Sequence, residues 1–393
     1  MQITKSERPH ISFFGCTNAG KSSLVNAITN QNLSVVSDIK GTTTDPVQKS
    51  MEILPLGPVV IIDTAGLDDD SKLGELRIEK TNQILNKTDI AILVIDATIG
   101  YTEKDNDLIK TLEDRKIPYI IVFNKSDFVQ KENRKKEFYV STKTGENINE
   151  LKEKIGHILS ENKVEKFIIK DKLNKGDIVI LVIPIDESAP KGRIILPQQN
   201  TLREILDANA TAICIQPEQL ENILNTVTPK MVITDSQVFN KIKDIVPQSI
   251  ILTSFSILMA NYKGNLKQLI KGANTISKLE NGDTILISEG CTHHRQCNDI
   301  GTVKFPKWLK DFSKKELQFE FTQGGEFPQD LSKYKLIIHC GACMLNETEM
   351  KSRVKQSIEQ NIPIVNYGMA IAYMNGILER ALEIFPETLK CLE

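Results

Sequence analysis

No apolar run in this chain approaches the ~20 residues that a helix needs to cross a bilayer. The longest, such as Val59–Ile62 and Ile90–Ile95, stop far short of that. Met1–His10 is polar and lacks the apolar centre of a secretion signal. A soluble, cytoplasmic protein is the expectation. A basic excess is also missing: 49 Lys and Arg stand against 51 Asp and Glu, for a net charge of -2. That balance disfavours a chain built to live on nucleic-acid phosphates. Seven cysteines are too few, and odd in number, for a disulfide scaffold, so they read as thiols or metal ligands. No low-complexity tract and no internal repeat stands out. What is present is ordinary globular composition, 40% hydrophobic and 25% charged, which excludes wholesale disorder. At 393 residues, two or three domains are expected.

The first part of the chain alternates short apolar runs with amphipathic stretches. Ile11–Phe14, Val59–Ile62, Ile90–Ile95, Tyr119–Phe123 and Phe138–Val140 read as buried strands. Such alternation predicts an α/β fold, a largely parallel sheet with helices on both faces. Glu161–Lys175 is lysine-rich and ends at Gly176, which reads as a linker or an edge. Asp177–Ile185 reads as a strong strand, broken by Pro190, Gly192 and Pro197, with a helix over Thr201–Ala208. Two further strands are expected at Thr284–Ile287 and Leu336–Ile338, each leading into a cluster of cysteine and histidine.

Gly15-Cys16-Thr17-Asn18-Ala19-Gly20-Lys21-Ser22 has the spacing G-x-x-x-x-G-K-[ST], followed by Ser23. It comes after one strand and opens a helix, the context that lets backbone N–H groups wrap phosphates. Lys21 would reach the β- and γ-phosphates, and the Ser22 hydroxyl would bind Mg²⁺. Asp63-Thr64-Ala65-Gly66 closes a later strand, where Asp63 can hold Mg²⁺ and the Gly66 N–H can meet the γ-phosphate. Gly41-Thr42-Thr43-Thr44 lies between them, in the position of a loop that closes Thr43 over the metal. Asn124-Lys125-Ser126-Asp127 ends another strand. The Asp127 carboxylate matches the N1–H and exocyclic amine of guanine, and adenine offers no such pair of donors. Ser141-Thr142-Lys143 would complete the base pocket through backbone N–H groups. Motifs in this order at the C-terminal ends of strands mark the crevice where open α/β sheets bind ligands.

Over about residues 8–160 the chain therefore resembles the TrmE–Era–EngA group of GTPases. Leu67 stands where Ras-like GTPases carry a water-orienting glutamine, so another group, a partner or a cation must take that role. Asn18 matches the asparagine that helps bind K⁺ in the potassium-stimulated members, which implies K⁺ against the phosphates and potassium-stimulated GTP hydrolysis. Glu75 lies at a suitable distance past Asp63 to act through water, in competition with Glu79 and Asp68 to Asp70. For any one of these acids, a solvated face is the plainer reading.

The second constellation is Cys291-Thr292-His293-His294, with Cys297 behind it, and His339-Cys340-Gly341-Ala342-Cys343. Two neighbouring strands of one sheet would bring these clusters together, and Cys-x-x-Cys lets two sulfurs reach one metal centre. Three readings stay open from the residues. Zinc would take Cys291, Cys340 and Cys343 with a histidine. A [4Fe–4S] cluster would use the three thiolates and leave one iron to His293, His339, Cys297, Asp299 or an exogenous ligand. The third reading is buried thiols beside a surface histidine pair. Cys16, Cys214 and Cys391 are isolated and read as inert.

A GTPase domain followed by Cys-x-His and His-Cys-x-x-Cys resembles the family of [FeFe]-hydrogenase maturation GTPases along the whole chain. The resemblance implies a [4Fe–4S] cluster on Cys291, Cys340 and Cys343, a variable fourth ligand, and His293 and His339 as part of the signature. It implies a scaffold or carrier that receives a di-iron precursor and delivers it to apo-[FeFe]-hydrogenase, with two radical-SAM maturases, HydE and HydG, supplying the parts. Asp177–Leu196 and Pro197–Asp207 look like that family's dimer-forming segment, so a homodimer is implied. Lys191 and Arg193 could meet the anionic precursor, although a solvated face is the plainer role for each. Three domains are expected: a GTP-binding domain at 1–168, an α/β dimerisation domain at 169–262, and an α/β cluster-binding domain at 263–393. The rival from another class is a ribosome- or RNA-associated GTPase with a structural zinc. The acidic balance, and Trp308 standing beside only a few lysines, disfavour it.

Overall fold

The computed structural model describes residues 5–30, 47–54, 56–64, 74–129, 137–161, 165–185, 194–263, 265–290 and 299–392. The chain divides into two compact units, Met1–Val164 with Asn346–Glu349, and Glu165–Leu345 with Met350–Glu393.

The first unit holds one six-stranded sheet. Its strands are β1 (His10–Phe14), β2 (Val47–Ile53), β3 (Gly57–Asp63), β4 (Ile90–Asp96), β5 (Tyr119–Asn124) and β6 (Glu137–Tyr139), in the order β2-β3-β1-β4-β5-β6. All neighbours run parallel except β2 against β3. The period of two along each strand separates two cores. Ile11, Phe13, Ile61, Ile92 and Val94 face the helices Lys21–Thr29 and Ile148–Glu161. Phe14, Ile62, Leu93 and Ile95 face the helices Gly74–Leu85 and Glu103–Arg115. Strands buried on both faces are continuously apolar, which is why these were legible. β2 was not: it is an antiparallel edge strand with Gln48 and Ser50 exposed, and it has no apolar run to announce it.

The second unit holds two four-stranded sheets. The first contains β7 (Ile178–Val182), β8 (Thr211–Ile215), β9 (Met231–Thr234) and β10 (Ile251–Ser254), in the order β10-β9-β7-β8. The second contains β11 (Thr284–Glu289), β12 (Gln318–Gln323), β13 (Leu336–His339) and β14 (Ile364–Asn366), in the order β12-β11-β13-β14. Every pairing in both sheets is parallel. The two sheets thus share one topology: the first strand lies between the second and third, and the fourth lies beyond the third.

Local hydrogen bonds repeat with the topology. Gly176 and Gly282, at φ 87 and 88, turn the chain into β7 and β11. Asp177 Oδ2 accepts from the Asn174 N–H and Asp283 Oδ2 from the Glu280 N–H, both at 2.7 Å. The Asp177 and Asp283 carbonyls accept from the Thr211 and Gln318 N–H groups at 2.8 and 2.9 Å. The fourth strands lead into the eight-residue helices Phe255–Tyr262 and Tyr367–Met374, capped by the Ser254 and Asn366 side chains. No internal repeat was expected from the sequence, yet the second unit is one motif built twice.

The halves interlock around a single core that spans both sheets. Helix Leu266–Ala273 of the first half packs on β14 of the second, so closely that a Cβ on Gly272 would lie 2.0 Å from the Ile364 carbonyl oxygen. Reciprocally, Thr253 Oγ1 of β10 donates to the Ala381 carbonyl in helix Leu378–Ala381 at 2.9 Å. The stretches expected as second and third domains therefore share one compact unit.

Two local expectations need correction. Glu161–Lys175 is not wholly a linker: Ile168 and Ile169 are buried in the second unit's core, two apolar residues hidden among lysines. The helix expected over Thr201–Ala208 starts earlier, at Leu196, and takes in Pro197. This proline occupies the first turn of helix Leu196–Asp207, where its missing N–H has no partner to lose.

Candidate functional site

The nucleotide motifs gather at the C-terminal ends of β1, β3 and β5 and just beyond β6. The loop after β1 depends on its glycines. At Gly15, φ 146, a Cβ would lie 2.1 Å from the Val94 carbonyl oxygen, and at Gly20, φ 91, it would lie 2.2 Å from Asn124 Nδ2. Asn18 holds a left-handed φ of 64. Lys21 is buried, and its ammonium arches back to donate to the Gly15 and Cys16 carbonyls, each at 2.8 Å. Ala19 is buried, its carbonyl accepts from Asn124 Nδ2 at 3.2 Å, and Ser23 follows in the helix. Strand β5 thereby fixes the phosphate loop as well as the base loop.

The Ser22 hydroxyl donates to Asp63 Oδ2 at 2.8 Å, while Asp63 Oδ1 is buried and has no hydrogen-bond partner. A buried carboxylate oxygen with nothing to satisfy it is a place for a cation. The pair fits Mg²⁺: Ser22 and Asp63 would hold the ion, which supplies neutralising charge for the phosphates.

On the base side, the Ser141 hydroxyl donates to Asp127 Oδ1 at 2.8 Å, and the Thr142 N–H donates to Asn124 Oδ1 at 3.2 Å. Lys143 Nζ lies 5.2 Å from the Phe128 ring centre. Lys125, at φ 64, donates to Asp96 Oδ2 at 2.5 Å. Asp96 also accepts from the Thr98 hydroxyl and N–H. Burial pushes this carboxyl up, but the Lys125 and Thr98 bonds outweigh it and hold Asp96 below its ordinary value. Asp96 was missed in the sequence. An acid closing the apolar strand β4, in line with the other strand-end motifs, was the available signal.

Several expected residues lie outside the described residues: Thr43 with its loop, Gly66, Leu67, Asp68 to Asp70, Lys191, Arg193, Cys291, His293, His294 and Cys297. Glu75 falls in helix Gly74–Leu85, but its side chain, like that of Glu79, is also outside them.

The second cluster lies where the sheet topology predicts. β11 and β13 are parallel neighbours, with Ser288 opposite His339. The C-terminal ends of these two strands lie at the point where strand order reverses, the position of ligand crevices in such sheets. Gly290, which precedes Cys291, donates its N–H to Cys340 Sγ at 3.0 Å. The Ala342 N–H donates to the same sulfur at 3.4 Å, with Ala342 at a left-handed φ of 52. Burial pushes the Cys340 thiol up, and these two donors act against it. Backbone N–H groups aimed at a sulfur favour the thiolate, the form that binds metal, and Cys343 lies in the same loop. That donor set fits a metal–thiolate group. Among the described residues, no three His, Cys, Asp or Glu side chains converge as a metal site.

His339 departs from expectation. It was placed among the cluster ligands, yet its ring is fully buried with both nitrogens engaged. Nδ1 donates to the Cys340 carbonyl at 2.9 Å, and Nε2 accepts from Arg353 Nη1 at 3.0 Å. Burial and the Arg353 charge push its pKa down to about 3, so the ring is neutral. This geometry makes it a brace for the Cys340 loop. Asp299 is also occupied: Oδ2 caps the turn Ile300–Lys304 by accepting from the Thr302 N–H and hydroxyl, each at 2.8 Å. Arg353 and a buried Glu289, which accepts from the Tyr367 hydroxyl at 3.2 Å, were missed. Arg353 lies well past Cys343 in the following helix, and Glu289, two residues before Cys291, belongs to a strand with no sign in the sequence of its burial.

Comparison with known proteins extends the geometry. Residues 10–125 match a family model described as a 50S ribosome-binding GTPase. The chain is 35% identical over 177 residues to GTPase Der of Lachnospira eligens, covering 39% of this chain and 40% of that protein. It is 39% identical over 117 residues to the tRNA modification GTPase MnmE of Desulforamulus reducens, covering 30% and 25%. The chain thus spans less than half the length of these relatives. A solved structure of Era with MgGDPNP and 16S ribosomal RNA aligns at TM-score 0.36 and 21% identity, over 58% of this chain and 91% of that one. Residues 168–264 match the hydrogen maturase F dimerization domain, and residues 267–384 match its tetramerization domain. With these two family-specific models covering more than half of the sequence behind a GTPase domain, the chain belongs to the hydrogen maturase F (HydF) family.

Proposed function

We propose that this protein is a GTPase scaffold for [FeFe]-hydrogenase maturation, which binds a [4Fe–4S] cluster and a di-iron precursor and delivers the di-iron unit to apo-hydrogenase. The observation that carries the reading is Cys340, whose sulfur accepts two backbone N–H bonds beside the residue preceding Cys291. Cys291, Cys340 and Cys343 would anchor the cluster, which supplies one iron open to an incoming complex. His339 and Arg353 brace the loop that carries two of these thiols.

In the G domain, Lys21 meets the phosphates, Ser22, Asp63 and Thr43 serve Mg²⁺, Gly66 meets the γ-phosphate, and Asp127 selects guanine. Leu67 cannot orient water, so Asn18 with K⁺, and Glu75 acting through water, complete the catalytic set. GTPase rate is expected to rise in KCl over NaCl, and equal rates would remove the potassium role. Nucleotide state changes partner contacts through the loops around Thr43 and Leu67. The partners are apo-hydrogenase and the maturases HydE and HydG, the protein is cytoplasmic, and its assembly is at least a homodimer. The family's own domain description extends that to a tetramer.

The test is metal content with EPR on protein purified without oxygen and reduced. About four iron per chain, with a signal shifted by added imidazole or cyanide, supports a three-thiolate cluster with an open iron. One zinc and no signal after iron–sulfide reconstitution would leave a GTPase with a structural metal and end the maturation role.

A further inference from the structure

The two halves of the second unit end their matching helices alike. Lys263 is the C-cap of Phe255–Tyr262 and Asn375 is the C-cap of Tyr367–Met374, each returning its N–H to the same two carbonyl positions of its helix. The first chain turn beyond them also repeats: the Asn265 N–H reaches the Ala260 carbonyl at 3.1 Å, and the Ile377 N–H reaches the Ala372 carbonyl at 3.0 Å. The side chains then part ways. Asn375 Nδ2 turns back onto its own helix at the Ile371 carbonyl, 2.8 Å away. Lys263 instead leaves the first half altogether. Its ammonium, on a side chain only 8% exposed, donates to the Ala342 carbonyl and to the Leu345 carbonyl at 3.3 Å.

Those two carbonyls bracket Cys343. Ala342 is the residue whose left-handed backbone aims its N–H at Cys340 Sγ. One lysine therefore pins both ends of the segment that carries the second thiol, and it sets the peptide that meets the first. Three thiolates around a [4Fe–4S] core leave a net negative group. An ammonium held in a dry environment beside such a group acts at short range and with little screening.

We propose that Lys263, supplied by the first half, is a positioning residue for the thiol loop of the second half and the built-in counter-charge of the anionic metal–thiolate group held there. The site is then incomplete without the dimerization-domain segment, since Lys263 falls within residues 168–264 and the cysteines do not. The counter-charge part rests on the cluster reading above; the positioning part does not.

The experiment uses the full chain and three variants. Lys263→Met removes donor and charge, Lys263→Gln keeps a donor, and Lys263→Arg keeps the charge. Apo-protein is labelled with a maleimide, and the rates at Cys340 and Cys343 are read by mass spectrometry. The expected result is several-fold faster labelling in Lys263→Met than in wild type; equal rates overturn the positioning role. The reconstituted proteins are then titrated electrochemically with EPR detection. A lower midpoint potential in Met and Gln than in wild type and Arg supports the counter-charge, because removing a positive charge favours the oxidised cluster. A common potential overturns it. If Lys263→Met loses its fold, judged by Trp308 emission, the Gln and Arg pair decides on the same criterion. If wild type takes up no iron, the cluster reading falls and labelling alone judges Lys263.

Discussion

Gly368 lies against Ser256, and the two residues hold the same place in two copies of one motif. Each is the second residue of the helix that follows the fourth strand of its sheet. A Cβ on Gly368 would come within 2.2 Å of Ser256 Cβ and 2.7 Å of Ser236 Oγ. The halves approach closely here because one copy has no side chain. Gly368→Ala should destabilise the second unit by about 2 kcal/mol or more through overpacking. Adding Ser256→Gly, which removes the nearest obstacle, should restore part of that loss. Trp308, the chain's one tryptophan, packs edge-on against Phe305 at 5.5 Å and reports unfolding of this unit alone. A double variant no more stable than Gly368→Ala would show that Ser236 sets the limit.

That relationship could not be read from the sequence. The repeat is carried by a Gly-Asp pair before each first strand, a proline in the first turn of each following helix, and backbone bonds between turns. These are too few shared residues to stand out, although Asn-Gly-Asp and Lys-Gly-Asp before apolar strands were visible. The G domain was legible for the opposite reason. Its ligand needs fixed residue types at fixed loop positions, and its buried strands are continuous apolar runs. Of the Cys/His constellation, the sequence placed the two clusters on neighbouring strand ends, and β11 and β13 are indeed neighbours. It could not tell a ligand histidine from a brace, because that depends on Arg353, which lies a helix away. Lys263 stayed hidden because its contact crosses from one half to the other.

Asp127 and Ser141 make a prediction about nucleotide choice. The Ser141 hydroxyl leaves Asp127 as a pure acceptor toward the base. Asp127→Asn replaces one acceptor with a donor, which suits the carbonyl that xanthine carries in place of guanine's amine. GTP affinity should fall about a hundredfold or more, with a gain for xanthosine triphosphate. Competition binding with the two nucleotides measures it. Loss of both affinities together would mean that Asp127 holds the loop rather than the base.

Glu204 ties the chain's entry into the second unit. Its carboxylate accepts the N–H groups of Ile168, Ile169 and Lys170 at 2.8 to 3.0 Å. Charge-assisted bonds of this kind are strong, and an amide oxygen can satisfy only part of such a nest. Glu204→Gln should cost about 2 kcal/mol of second-unit stability, read from Trp308 in a urea titration. Hydrogen exchange at residues 168–170 should quicken with it. Unchanged exchange would mean that the buried Ile168 and Ile169 hold this segment without the nest.

His10 gives the first unit a pH dependence whose sign is fixed by burial. Its ring is 8% exposed, Nδ1 donates to the Arg8 carbonyl at 2.9 Å, and burial pushes its pKa down from 6.5 to about 4, with Lys87 acting the same way. Above pH 6.5 the ring is neutral in folded and unfolded chains, and its full contribution is present. Between 6.5 and 4 the unfolded chain takes up a proton that the folded one refuses, so stability falls with falling pH, by about 3 kcal/mol in all. Asp89, whose carboxyl is pushed up by burial beside it, works in the opposite direction as pH falls. The informative quantity is therefore the difference between wild type and His10→Gln, which keeps a donor for Arg8 and cannot titrate. Hydrogen exchange at the β1 amides supplies that difference. The wild type should lose protection relative to the variant from pH 6.5 downward. Parallel curves from pH 7 to 4.5 would show that His10 takes its proton in the fold as readily as in the unfolded chain.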